Sequence, residues 1–150
     1  MSSSPLYVED LHLGQRFVSP QREITAEEIK AFAQTFDPQP FHLDDEAAKE
    51  TLFKGLAASG WHTSALTMRL NVESLPLAGG VVGMGVEVDW NAPVRPGDVL
   101  HVESEVVEIA PPKPGARRGV VVILGKTINQ KGETVQTNKA KLLVGRRPGG

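Results

Sequence analysis

The run AASGWHTSALTMRLNVESLP, residues 57–76, decides the fold. It opens on the small residues Ala57, Ala58, Ser59 and Gly60, after which Trp61, Ala65, Met68, Val72 and Leu75 recur at steps of four, three, four and three. That is the period of one face of an α-helix. Leu66 and Leu70 widen the apolar stripe, which suits a helix enclosed by a curved sheet better than one resting on a surface. Pro76 ends the pattern, and beyond it the period falls to two. Val82, Met84, Val86, Val88 and Trp90 share one face of a predicted strand, with Gly83 and Gly85 on the other, where a backbone can approach closely. Further strands are expected over 99–109, 120–128 and 134–144, from their β-branched content and alternation. Gln130-Lys-Gly132 marks a hairpin turn, and the proline-rich 111–115 a longer exposed loop.

Upstream of the long helix, residues 15–24 carry a short extended pattern. Thr25-Ala-Glu-Glu28 reads as a capping box before Ile29, Phe32, Ala33 and Phe36, so a helix is predicted over 26–36. It stops at Asp37-Pro-Gln-Pro40. Each proline removes a donor and drives the residue before it out of the helical region, so Asp37 and Gln39 should be extended or in a turn, within a stiff loop. A short helix from Asp44 or Asp45 to about Leu52 follows, its acids at the positive end. Helices first and antiparallel strands afterwards indicate an α+β fold, one sheet wrapped around a long central helix in a single domain over 1–150. Such a sheet leaves a face or edge to cover, so a homo-oligomer, at least a dimer, is expected.

Composition removes several classes of function. Of the 150 residues 40% are hydrophobic and 23% charged, the balance of a folded globular chain. A net charge of −2 with dispersed Lys and Arg provides no basic footprint, so no nucleic-acid partner is expected. Cysteine is absent, which rules out disulfides, thiolate metal sites and a cysteine nucleophile. The first five residues lack the basic and apolar regions of a secretory leader, and no apolar run approaches a membrane span, so a cytoplasmic protein with no membrane partner is expected.

Two titratable groups bracket the stiff loop, Asp37 and His42. Fully extended, five steps would hold them about 15 Å apart, so they cooperate only if the chain curls back. Brought together, a carboxylate and an imidazole can hold one water and exchange protons at neutral pH. A helix-stopping Asp and a surface His have the same spacing. Ser59 and Gly60 lie at the start of the long helix, where free N–H groups and the helix dipole favour partial negative charge, as in an oxyanion hole. The ordinary reading is Ser59 as N-cap and Gly60 as a close packing contact. His62 falls within one turn of that start and can line the same cleft or pack. His12 and His101 have no evident partner, no histidine pair has a metal-ligand spacing, and no metal site is expected. Arg117 and Arg118, or Arg69, Arg95 and Lys54, can meet phosphates or merely solvate the surface.

The run from Phe32 through Asp37-Pro-Gln-Pro-Phe-His42-Leu-Asp44, followed by Ala47, Ala48, Phe53 and Leu56-Ala-Ala-Ser-Gly60, resembles the hydratase motif of the MaoC-like dehydratases, a family that includes R-specific enoyl-CoA hydratases. Trp90-Asn-Ala-Pro93-Val-Arg-Pro96-Gly97-Asp98 is similar to the family's strand-turn segment. The resemblance covers residues 24–98 by local motifs. It implies a hot-dog fold, usually dimeric, with the acyl chain in a tunnel beside the central helix and coenzyme A or an acyl carrier at its mouth. It further implies that Asp37 and His42 activate or take up water at an enoyl-thioester double bond, that the Gly60 amide holds the thioester carbonyl, and that no cofactor takes part. Two departures stand out. The family's asparagine is Gln39 here, one methylene longer, and Trp61-His62 brings bulk where smaller or aliphatic residues are usual, which would shorten or reshape the acyl pocket. A thioesterase and a non-catalytic acyl-thioester binder are the competing readings. The first would place a carboxylate on or near the central helix, and from Gly60 to Asn71 there is none.

Overall fold

The computed structural model describes residues 4–149. Met1 to Ser3, which carry part of the expectation of no secretory leader, lie outside the described residues.

Helix α1 (Ala26–Phe36) begins at a complete capping box: Thr25 Oγ1 accepts from the Glu28 N–H at 3.2 Å, and Glu28 Oε1 accepts from the Thr25 N–H at 3.0 Å. The stiff loop expected after it contains a further helical turn, α2 (Pro40–Leu43), with Pro40 in its first turn. Proline is tolerated there because the N–H it lacks would have no intrahelical acceptor. Helix α3 (Asp45–Lys49) is capped by Asp44, whose Oδ1 accepts from the N–H groups of Glu46 and Ala47, and it ends short of the expected Leu52. The long helix is α4 (Gly60–Ser74).

Strands β1 (Arg16–Val18), β2 (Arg22–Glu23), β3 (Val82–Trp90), β4 (Val99–Ala110), β5 (Arg118–Ile128) and β6 (Thr134–Gly145) follow the expected period-two segments closely. They form one antiparallel sheet in the order β1-β4-β5-β6-β3, with β2 also on β4. Gly132, at a φ of 79°, makes the β5–β6 hairpin turn that a residue with a Cβ would strain. The sheet curls around α4, a hot-dog arrangement.

The face that α4 turns to the sheet is only partly the expected stripe, keeping Leu66, Leu70 and Leu75 but not Trp61, Met68 or Val72. Thr63, Leu66, Thr67 and Leu70 are buried, whereas Trp61, Met68 and Val72 are 62%, 43% and 56% exposed. Two of the inward residues are threonines: the sheet meets Thr67 with polar groups, its hydroxyl 2.6 Å from that of Thr127 and reached by the buried Gln136, and the Thr63 hydroxyl donates back to the Ser59 carbonyl. Leu66 and Leu70 join Ile24, Ile29, Leu100, Val102 and Val135 in one apolar cluster, and Leu75 joins Val106, Val121, Ile123 and Val144 in the other. The outward stripe continues onto β3, where Val82, Met84, Val86 and Trp90 are exposed on an edge strand paired only with β6 among the described residues. No described helix is long and apolar enough to cross a membrane.

Candidate active site

The curl that Asp37 and His42 require is built by backbone hydrogen bonds around the two prolines. The Gln39 N–H donates to the Asp37 carbonyl, the His42 N–H to that of Gln39, and the Asp44 N–H to that of Pro40. The loop doubles back, and His42 Nε2 stands 3.3 Å from Asp37 Oδ2. A strap from the approach to α4 holds the turn in place, the Ala57 N–H donating to the Phe41 carbonyl at 3.0 Å.

His42 is 4% exposed, flanked by the rings of Phe41 and Phe53. Its Nδ1 lies 2.6 Å from the Ala57 carbonyl oxygen. A carbonyl can only accept, so Nδ1 carries a proton and, in the neutral ring, Nε2 presents its lone pair toward Asp37. The carboxylate is held from both sides. The Gln39 amide donates to Oδ1, and Ser59 Oγ donates to Oδ2 at 2.7 Å. Partial burial works against ionising Asp37, but the bonds from Gln39 and Ser59, joined by the His42 ring when it carries its second proton, outweigh it and keep the carboxyl below its ordinary value. Ser59 is fully buried and also caps α4, accepting from the Trp61 N–H at 3.2 Å. One hydroxyl thus ties the dyad to the helix start.

Gly60 is the first residue of α4, and its N–H has no acceptor among the described residues, as expected for a helix terminus. A Cβ there would stand 2.6 Å from the indole of Trp90, so only glycine lets the ring lie against the helix. Together His42, Phe53, Gly60, Thr63 and Trp90 line a cleft of about 280 Å³, closed on one side by Asn91 to Val94. Thr63 and Trp90 were not anticipated. The signal for Thr63 was its spacing, three residues past Gly60 and so on the same helix face; nothing in the strand pattern distinguished Trp90 from its exposed neighbours.

His62 does not join this cleft. Two helical residues past Gly60 is about 200° around the axis, and His62 lines a different hollow with Arg22, Glu28, Phe32 and Arg69. It stacks on Phe32 at 4.7 Å, and burial lowers its pKa. Trp61 packs edge-on against Trp90 at 5.1 Å, outside the residues that line the cleft. Arg95 is not available for phosphate, because its guanidinium donates to the carbonyls of Phe53, Gly55 and Leu56 and fixes the strap before α4. Arg69 is paired with Glu73, and His101, expected to stand alone, lies 3.0 Å from Glu103. Among the described residues no three His, Asp or Glu side chains are grouped as metal ligands.

A second, larger cavity of about 400 Å³ runs between α4 and the β6–β3 side of the sheet. Trp90 lines only the first of the two spaces. It helps line the cleft that His42, but not Asp37, borders, and its indole N–H donates to Ser64 Oγ at 3.3 Å and Gln136 Oε1 at 3.1 Å, both of which line the larger cavity.

Residues 10–130 match the family model described as MaoC like domain. A MaoC-like dehydratase from Rhodospirillum rubrum superposes with a TM-score of 0.92 at 56% identity, covering 95% of this chain and 99% of that one. The chain is 32% identical over 131 residues to a 3-hydroxybutyryl-CoA dehydratase from Methylorubrum extorquens, covering 87% of this chain and 82% of the relative. An R-hydratase from Pseudomonas aeruginosa, solved without ligand, matches at 28% identity and a TM-score of 0.79, over 95% of this chain and 88% of that one.

Proposed function

The chain belongs to the MaoC-like dehydratase family, and from that premise we propose that it adds water to, or eliminates it across, the C2–C3 bond of an acyl thioester, with coenzyme A as the carrier. One observation carries this reading. His42, its Nδ1 committed to a carbonyl, turns Nε2 toward a carboxylate 3.3 Å away, at the end of a helix with a free N–H.

Two acceptors so close cannot bond each other without a proton between them. A water in the cleft that His42 lines would donate a hydrogen to the dyad and turn its oxygen toward the substrate. In the hydration direction that oxygen bonds C3, the dyad takes the released proton, and a proton returns from the dyad to C2. The electron pair of the alkene passes meanwhile to the thioester oxygen as an enolate. The Gly60 N–H, backed by the positive end of α4, supports that charge. Ser59 and Gln39 position the carboxylate and keep it ionised. Elimination is the same path reversed. The chain's own groups supply all of this chemistry, and no cofactor is invoked.

The thioesterase reading finds no carboxylate on the first turns of α4. The acid on α4 is Glu73, at the far end of the helix and engaged by Arg69. A homodimer completes the proposal, with the open edge of β3 and the outward stripe of Met68 and Val72 as the surface a second copy would cover.

The test is loss of conjugated-thioester absorbance with a panel of trans-2-enoyl-CoAs. Turnover without release of free thiol is the expected result. Thiol release with the double bond intact would establish a thioesterase instead, and binding without turnover across the panel would establish a non-catalytic acyl-thioester binder.

A further inference from the structure

The indole of Trp90 lies along the first turns of α4. Trp90 stands opposite Gln136 in the β3–β6 register, so both side chains project to the α4 side of the sheet. The bond shared by the two rings of the indole sits over Gly60: a Cβ on that residue would come within 2.6 Å and 2.7 Å of its carbons. At its other end the indole N–H donates to Ser64 Oγ and Gln136 Oε1. Ser64 is one turn past Gly60, about 6 Å along the helix. One ring therefore touches Gly60, which lines the His42 cleft, and two residues that line the larger cavity, and it fills the space between them.

The ring is held in that position. Gln136, 1% exposed, also accepts from Ser64 Oγ at 2.8 Å, and its amide donates to Thr67 Oγ1, which meets Thr127. The indole N–H is thus the outer member of a buried hydrogen-bond network, and swinging the ring away forfeits two of its bonds. Trp61 braces it edge-on from outside.

The other walls of the cleft give no more room. Ala58, Thr63 and Val94 are buried, with the packed core behind them. The next space along α4, the larger cavity, shares no lining residue with the cleft. An acyl thioester with its carbonyl at the Gly60 N–H and C3 beside His42 sends its carrier out to solvent. Its tail is left the inward side, where it meets the indole within a few carbons.

Resting on the hydratase reading above, we propose that Trp90 is the specificity residue that limits acyl length, and that the substrates are short enoyl thioesters of the butenoyl and hexenoyl class. The shortening expected of Trp61 and His62 comes from the strand instead, with Trp61 only bracing the ring that imposes it.

The experiment is kcat/KM for hydration of trans-2-butenoyl-, hexenoyl-, octenoyl- and decenoyl-CoA, read as the ratio of octenoyl to butenoyl so that any general loss of activity cancels. The wild-type protein should favour butenoyl about 10- to 100-fold, the size expected where extra methylenes press on packed side chains. Trp90→Ala joins the cleft to the cavity beyond and should raise the ratio by about the same factor. Trp90→Phe, which loses the N–H but keeps a ring over Gly60, should raise it far less. Octenoyl hydrated as well as butenoyl by the wild-type protein would overturn the proposal, as would a ratio that Trp90→Ala leaves unchanged; either result leaves the hydratase reading standing. Failure to hydrate any member would overturn that reading and this one with it. Where Trp90→Ala does not fold, Trp90→Leu keeps an apolar side chain beside Gly60 and should move the ratio in the same direction.

Discussion

The start of α4 and its middle treat polar side chains in opposite ways. Around Ser59 the hydrogen-bond capacity is largely spent inside the chain: Asp37 accepts from Gln39 and Ser59, His42 bonds Ala57, and Ser59 caps the helix. Further along, Asn71 and the facing Asn138 are left without partners. Satisfied bonds fix geometry before a ligand arrives, which is what proton transfer over 3 Å requires; the enclosed oxygens of Asn71 and Asn138 fix nothing of that kind. The difference separates a preorganised reacting end from a wall that takes no part in positioning it.

Four substitutions press on that difference, taken from the largest expected effect to the smallest. His42→Ala removes the group whose lone pair faces Asp37 and should lower kcat/KM by about 10³-fold, within the range for a lost acid/base group; circular dichroism should show the fold retained. Arg95→Met strips three carbonyls of their shared donor and should cost about 2 kcal/mol in urea denaturation, as for hydrogen bonds to a charged group, loosening the strap that carries Ala57 and Ser59.

Ser59→Ala takes away an N-cap worth about 1 kcal/mol and one of the bonds holding Asp37 ionised. The sign follows from the depressed carboxyl. Its ionised form contributes stability above the ordinary carboxylate range, and that contribution is lost as pH falls through the lowered folded value. With Ser59 gone the folded value rises, so the acid limb of the kcat/KM profile should move to higher pH. Smallest is Val72→Thr on the outward stripe, with an expected change in monomer stability below about 0.5 kcal/mol. Its effect should show instead in sedimentation velocity, as weaker self-association.

Most of the fold could be read before the structure was seen, and the exceptions have physical reasons. The bounds of α1 and of β4 to β6 follow from a capping box and from β-branched alternation, both local signals. Helix α2 was hidden because a proline reads as a helix stop yet can start one: Pro40 opens α2, and its missing N–H costs nothing in a first turn. The outward stripe of α4 was taken for the core because apolar periodicity is the same for a face that meets the chain's own sheet and a face left for another surface. Thr63 and Thr67 count as polar by composition, yet Thr67 is core-facing through its bond to Thr127.

Of the site, Asp37, His42, Ser59 and Gln39 are held together by hydrogen bonds and close contact, with Gly60 next to Ser59, a grouping that the family resemblance implied and the spacing alone left open. The carbonyl that sets the tautomer belongs to Ala57, a backbone group that side-chain motifs cannot reveal. His62 was misplaced for want of the helical angle, since two residues along a helix face nearly opposite ways. The cavity amides escaped notice because Asn71 and Asn138 are ordinary polar residues until the sheet brings them to opposite sides of one space.

The central claim is that Asp37 and His42 act as one unit, and a double-mutant cycle tests it directly. Steady-state hydration of a trans-2-enoyl-CoA would be measured for the wild-type protein, Asp37→Asn, His42→Ala and the double variant. Groups that share one proton path should lose their contribution once, so the double variant is expected to fall no further than about threefold below the worse single one. Losses that multiply, or a single variant with wild-type kcat/KM, would contradict the account.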